Sequence, residues 1–304
     1  MGKIIVTGAS GAFGGAAAEQ LLQQLPAEDL VFLSRSPEKL AHFAARGAAC
    51  RLADFDDPAT LPAAMEGGEK MLLISTARVG TRVGQHENAV LAAVAQGVRH
   101  IVYTSVIAAD EPDNPAIVKD DHRSTEVIIE RSGAAWTFLR DSQYAEAIAM
   151  AMAIPALQMG VKPDNCGPGK VGFVSRDDCV ATAVGVLTQQ GHGRMAYTLT
   201  GPEALSIPEA LAMVSEMAAK PIEVQQVSDE VMYKYFDSLG VARHASDVVP
   251  DGPIPWSSDD MVTFGQSIRE GYFDMVTDCV ERITGKAPRS LRSVFEQYQS
   301  AWPV

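Results

Sequence analysis

KIIVTGASGAFGG (residues 3–15) sets an apolar run, Ile4 to Val6, against a glycine-rich turn and then an alanine-rich segment. Gly8, Gly11 and Gly14 recur at every third position. Between a strand and a helix each has a task. The first permits a tight turn, the second lets backbone approach a pyrophosphate, and the third lets helix and strand pack closely. The helix start then offers free N–H groups and the positive end of its dipole to an anion. A plain Gly-rich strand-to-helix turn is the alternative, and the surrounding sequence decides between them.

Working outward, apolar runs alternate with amphipathic ones. Strands are predicted at KIIVT (3–7), LVFLS (30–34), AACRLAD (48–54), KMLLIST (70–76), VRHIVYTS (98–105) and AWTFLR (135–140). Helices are predicted over 12–25, over 37–47, shortly after Pro58, over 82–97, and from Val118 to the Ser132-Gly133 stop signal. Strands this apolar need cover on both faces, which a doubly wound parallel α/β sheet provides. We expect a Rossmann-type α/β fold, with an NAD(P)-binding domain over 1–140 and a smaller, mostly helical C-terminal lobe over 141–304, some of whose segments return to the sheet. In that lobe helices are expected over 143–159, 176–190, 206–219, 229–240, 258–283 and 288–300. Short strands are expected near 171–175, 195–200 and 222–227, with VVPDGPIPWSS (248–258) as a proline-rich loop. The lobe should close over the carboxyl edge of the sheet, where ligands of such sheets bind.

The 304 residues are 47% hydrophobic and 21% charged, enough for a full core. A net charge of −13 argues against nucleic acid, which needs clustered Lys and Arg. No run of 18 apolar residues occurs and Met1-Gly2-Lys3 leads straight into a strand, so a cytoplasmic protein without membrane insertion is expected. Cys50, Cys166, Cys179 and Cys279 form no CxxC pair, which points to reduced thiols and no metal. Any anionic ligand must then be held by local groups such as the glycine loop.

That loop offers Thr7, Gly8, Ser10, Gly11, Ala12, Phe13 and Gly14 to a dinucleotide. The second strand ends Leu33-Ser34-Arg35-Ser36, with no acid to accept from a ribose 2′-hydroxyl. Arg35 with Ser34 suits a 2′-phosphate, so NADP(H) is preferred, with NAD(H) left open. Strand order extends the cofactor site to Asp54 and Phe55, to Ser75, Thr76 and Arg78, and to Thr104 and Ser105. TARVGTRVGQHEN (76–88) reads as a mobile cleft wall that brings Val79 and Gln85 to a small-molecule substrate, with Gly80 and Gly84 as hinges.

TGASGAFGG, LSRSPEKL, ADFDDPATL, KMLLISTARVG, QHENAVLAAVAQGVRHIVYTS, DDHRSTE and SGAAWTFLRDSQY, in that order, resemble the NmrA-like branch of atypical short-chain dehydrogenases. Within it the similarity is to type 2 quinone reductases and triphenylmethane dye reductases, close over 1–200 and looser beyond. The resemblance implies a Rossmann domain binding NADPH, a lobe forming a substrate cleft, and reduction of a quinone or similar conjugated acceptor. The branch also contains dinucleotide-binding redox sensors without clear turnover. Its isoflavone-reductase-like relatives reduce plant-derived aromatics with a catalytic Lys, for which Lys119 is the candidate here.

Ordinary short-chain dehydrogenases use a Tyr with a Lys four residues on. None of the seven tyrosines here has one, which disfavours alcohol–ketone chemistry. A quinone needs less help, because positioning carries most of its reduction. His122 stands where related reductases have a His, to bond a carbonyl or supply a proton near neutral pH. Alternatively, with Asp120 and Asp121, it serves the helix start. Arg140 and Tyr144 carry over from the resemblance, while Asp141 stands where the reductases have Asn. An ionised Asp only accepts, which points to a substrate presenting a hydroxyl donor. Tyr144 either stacks on a planar acceptor or packs in the core. The catalytic candidates are thus His122, Tyr144 and Lys119, and the substrate candidates are Val79, Gln85, His122, Asp141 and Tyr144. Nothing in the exposed helices specifies a homodimer, which stays open.

Overall fold

Each of the six predicted apolar runs forms a strand: β1 (Lys3–Val6), β2 (Leu30–Ser34), β3 (Ala49–Leu52), β4 (Gly68–Leu73), β5 (His100–Val106) and β6 (Ala135–Asp141). The computed structural model describes residues 2–248, 254 and 256–303. Helices α1 (Ala12–Leu22), α2 (Ala41–Ala44), α3 (Leu61–Met65), α4 (Arg82–Ala95) and α5 (Ile117–Arg131) connect the strands. Beyond them come α6 (Ala153–Met159), β7 (Val161–Asp164), β8 (Lys170–Val171), α7 (Arg176–Thr188), β9 (Met195–Leu199), β10 (Leu205–Ser206) and α8 (Ile207–Ala218). The chain continues through β11 (Glu223–Gln226), α9 (Asp229–Ser238), α10 (Ser258–Arg269), α11 (Cys279–Thr284) and α12 (Leu291–Tyr298).

The central sheet has the order β3-β2-β1-β4-β5-β6-β9, and every pairing in it is parallel. Alternation along each strand sends Val6, Phe32, Leu72, Val102 and Leu139 onto α1, α7 and α11. Their neighbours Ile5, Leu33, Leu73, Tyr103 and Phe138 face α3, α4 and α5. Both faces are dry, as the near-continuous apolar runs require.

The seventh strand, β9, continues from Thr137↔Met195 to Asp141↔Leu199 along the edge of β6. Together with α7 and α11, it brings the later half of the chain back to the sheet. The remaining elements gather around a second core, where Ile148, Phe173, Leu211, Phe273 and Phe295 pack together. Two small sheets, β10 with β8 and β11 with β7, brace that region.

Several predicted boundaries change. The 37–47 helix is a 3-10 turn, Pro37–Leu40, followed by the single turn of α2, because Pro37 starts it and Gly47 at φ 94° stops it. The 143–159 helix opens into a π turn over Ala147–Met152 before α6. The 258–283 helix splits into α10 and α11, with Gly271 at φ 90° just past the first break. The 171–175 strand shrinks to β8, and the very short β7 and β10 were not anticipated. Of the proline-rich loop, 249–253 and 255 lie outside the described residues. Among the described residues no helix is long and apolar enough to cross a membrane.

Candidate active site

Strand order reverses between β1 and β4, and a cleft of about 730 Å³ opens at their carboxyl ends. This is the switch point at which open α/β sheets bind ligands. Gly8 turns the chain at φ 60°. A Cβ on Gly14 would lie 2.4 Å from the Gly8 carbonyl oxygen, so helix and loop approach as closely as a glycine allows. Gly11 caps α1 without a side-chain hydrogen bond, and no acid stands in the first turn. The opening amides of α1 are therefore left for an anion.

Side chains from the neighbouring strands shape the floor. Thr7 Oγ1 accepts from Ile74 N at 2.9 Å, Thr104 Oγ1 from Ser75 N at 2.8 Å, and His86 Nε2 from Thr76 N at 3.1 Å. Three successive amides leaving β4 are thus satisfied without a strand partner, which turns the chain away from the sheet. Thr76 Oγ1 donates to Gln85 Oε1, and Gln85 Nε2 donates to Asp56 Oδ2, both within 2.8 Å. At the tip of β2, Ser34 Oγ shares a 2.9 Å hydrogen bond with Ser10 Oγ and accepts from Ser36 N.

Of the residues predicted for the cofactor and substrate, Thr7, Gly8, Ser10, Gly11, Ser34, Arg35, Asp54, Phe55, Ser75, Thr76, Arg78 and Gln85 line this cleft. Ala12, Phe13 and Gly14 form the first turn of α1 behind it, with Phe13 in the core. Thr104 acts from beneath, through Ser75. Lys39, Asp56 and Val248 also line the cleft and were not anticipated. Lys39 had a legible signal, since SRSPEKL places it four residues after Arg35.

Beside the cleft lies a buried polar network. A guanidinium only donates, so His122 Nε2 accepts from Arg82 Nη1 at 3.0 Å and its Nδ1 proton goes to the Tyr103 hydroxyl at 2.9 Å. His86 likewise accepts at Nε2, and its Nδ1 faces Thr125 Oγ1, which donates to Asp121 O. Burial holds His86 down to about 3 and His122 well below the usual imidazole range, with Arg82 adding to both. Both imidazoles are neutral at pH 7. The expectation of His122 as a proton donor near neutral pH is corrected: it is buried, both its nitrogens are engaged, and it does not line the cleft.

The same network holds the loop after β4. Asp121 Oδ2 accepts from Gly80 N at 2.6 Å and Arg82 Nη2 donates to Ala77 O at 3.2 Å. The wall expected to be mobile is therefore tied down at two points. Ser105 turns from the cleft to donate to Glu126 Oε1 at 2.8 Å. Fully buried Glu126 also takes two hydrogen bonds from Arg140, whose Nη1 pairs with Asp110 at 2.6 Å. Ser105 and Arg140 thus brace β5 and β6 against α5. Lys119 donates to Pro112 O and pairs with Asp120, away from the cleft lining.

At the tip of β6 the Tyr144 hydroxyl donates to Asp141 Oδ2 at 2.6 Å. Burial pushes the Asp141 carboxyl up to about 7, against the hydrogen bonds of Tyr144 and Cys179. Neither Asp141 nor Tyr144 lines the described cleft.

The NAD(P)H-binding family model matches residues 8–190. The chain belongs to this NAD(P)H-binding family. Quinone oxidoreductase 2 of Escherichia coli is 35% identical over 269 residues, spanning 87% of this chain and 93% of that protein. The crystal structure of an NADPH-dependent quinone oxidoreductase from E. coli complexed with NADPH superposes with TM-score 0.87 and 32% identity, covering 97% of this chain and 99% of that one. The Citrobacter sp. triphenylmethane reductase complexed with NADP(H) superposes with TM-score 0.84 and 28% identity, over 97% and 100% of the two chains. The NmrA-like resemblance and the Rossmann-type fold read from the motifs are borne out.

The cleft of this NAD(P)H-binding protein fits a dinucleotide on its own geometry. Uncapped amides of α1 face the Gly8–Gly11 turn, and the Gly14 contact leaves that turn no room for a larger residue at this crossing. At one end stand Arg35 and Lys39, with no acid at the close of β2.

Proposed function

We propose that this protein is an NADPH-dependent oxidoreductase that reduces a quinone or similar conjugated acceptor by direct hydride transfer. The observation that carries the reading is the switch-point cleft, with an uncapped helix N-terminus at its middle and Arg35 and Lys39 at its β2 end. Similarity along nearly the whole length to a quinone oxidoreductase supports the acceptor class.

In this reading the pyrophosphate lies on the Gly8–Gly11 turn and the amides of α1. Arg35 and Lys39 take the 2′-phosphate, Arg35 by its planar fork and Lys39 as a point charge. Asp54 and Phe55 border the adenine, and Ser75 and Thr76 the middle of the dinucleotide. The reduced nicotinamide supplies the hydride when bound. The chain's own groups orient and exclude. Thr7, Thr104 and His86 fix the backbone at residues 74–76, and the Tyr144 hydroxyl is committed to Asp141, leaving its ring to pack rather than to donate a proton. A Tyr–Lys dyad is absent from the sequence, and Lys119 is tied to Pro112 and Asp120, so acceptors that need a dedicated acid are not favoured. We take residues 1–140 as the dinucleotide domain and 141–304 as the substrate lobe, with α7, β9 and α11 returning to the sheet.

The test compares kcat/KM for NADPH and NADH with naphthoquinone as acceptor, in the wild type and Arg35→Ala. The wild type is expected to prefer NADPH, and the variant to lose about tenfold or more with NADPH but little with NADH. Equal losses would remove the 2′-phosphate assignment. Tight NADPH binding without turnover would favour a sensor.

A further inference from the structure

Among the described residues, eight buried side-chain polar atoms have no hydrogen-bond partner, and they fall in two places. Three belong to Asp141, Ser142 and Gln143 at the tip of β6. The other five are Arg78 Nε, Arg82 Nε, which keeps an ion pair with Asp121 Oδ2 at 3.6 Å, Trp256 Nε1, Ser258 Oγ and Asp260 Oδ1, on the chain leaving β4 and the segment entering α10. A folded chain leaves few such groups unpaired, since each costs about 1–3 kcal/mol.

Between these two segments lies a cavity of about 10 Å³ lined by Arg78, Val79, Ala245, Val248, Trp256 and Ser257. It has room for about one water or one carbonyl oxygen. Arg78 and Val248 also line the main cleft, so the small cavity adjoins the β4 end of that cleft, opposite Arg35. The two unpartnered atoms on its lining residues, Arg78 Nε and Trp256 Nε1, are N–H groups that only donate. Ser257 Oγ is already engaged by Asp260 N. The other lining side chains are apolar. Two unmet donors on residues that line an otherwise apolar recess point to a missing oxygen lone pair.

The geometry points to an acceptor-oxygen subsite: the carbonyl oxygen of the conjugated substrate enters between Arg78 and Trp256 while its ring stays in the main cleft. This inference rests on the reductase reading and adds what recognises the substrate. Hydride uptake delivers two electrons and one proton to the acceptor, and the dinucleotide is oxidised in balance. The hydride forms a C–H bond at the ring carbon conjugated to that carbonyl, the C=C pair shifts and the C=O π pair comes to rest on oxygen as an enolate. One proton from solvent on that oxygen, and tautomerisation of the ring C–H proton to the second oxygen, complete the hydroquinone. Arg78 and Trp256 donate to that oxyanion as charge develops, the stage at which fixed donors act most strongly. A guanidinium in this place also disfavours cationic acceptors.

Trp256→Phe removes one N–H and keeps a ring, and Arg78→Met removes the charge and keeps much of the length. Steady-state kinetics with naphthoquinone, naphthoquinone sulfonate and a cationic triphenylmethane dye, alongside the NADPH Kd from fluorescence quenching, decide the matter. For Trp256→Phe we expect quinone kcat/KM to fall about tenfold with the NADPH Kd within about twofold. For Arg78→Met we expect the sulfonate to lose about tenfold more than the cationic dye. Wild-type quinone turnover with both variants within about twofold would mean that the cavity holds a structural water only, and would overturn the subsite. So would a raised NADPH Kd in Arg78→Met with quinone KM unchanged, which would return Arg78 to the cofactor. Absence of wild-type turnover with any quinone would overturn the reductase reading, and the subsite with it.

Discussion

At Asp141 a carboxyl is buried against the Tyr144 phenol and Cys179, and burial lifts it to about 7. The unfolded chain binds that proton only below ~3.9. The raised native value therefore makes a contribution that is fully present below ~3.9 and lost as pH rises to about 7. Asp141→Asn keeps an oxygen for Tyr144 and removes the charge. By urea unfolding it should be more stable than the wild type at pH 8, on the order of 2 kcal/mol, with the gap closing toward pH 4. A gap of the same size at both pH values would contradict a neutral native carboxyl. The sequence showed which residue types stand at these positions but not what they face. Arg35 was legible because it follows a strand end that lacks an acid. His122 was not, because its partners Arg82 and Tyr103 come from other elements, 40 and 19 residues away. Val248 reaches the cleft, and Trp256 the small recess beside it, from the later half of the chain, which carries no motif.

The turn from β1 into α1 is where local sequence and tertiary need coincide. The predicted Cβ contact at Gly14, 2.4 Å from the Gly8 carbonyl oxygen, meets backbone that cannot give way cheaply. Gly14→Ala should lower stability by about 1–3 kcal/mol and weaken NADPH binding together. Gly15→Ala, whose Cβ would meet Ala9 O at an ordinary 3.4 Å, serves as the control. Thermal melts with and without NADPH check this, and a Gly14→Ala protein as stable and as tight as the control would contradict it. Element by element, the sheet strands were readable from apolar runs bounded by turns. The split between α10 and α11 was not, because the intervening segment carries Tyr272 and Phe273, which pack in the second core and mimic a helical face. Elements as short as β10 have no periodicity to read.

Across the whole molecule, a chain of net charge −13 builds a cleft in which we propose that backbone amides, Arg35 and Lys39 hold the anionic cofactor. The later half completes the sheet through β9 and supplies Val248 to the cleft rim, so the cleft is built from both halves of the chain. The cleft was legible in outline, since the glycine loop and strand order pointed to residues that line it. Val248 was not, because a segment distant in sequence brings it to the cleft. Hydride transfer from NADPH to a conjugated acceptor is the reaction we propose for this protein. The direct measurement is an anaerobic reaction of the purified protein with NADPH and naphthoquinone, counting hydroquinone formed against NADPH consumed. Equal amounts are expected, at a rate well above that without protein. Saturable NADPH binding with no hydroquinone formed would contradict it.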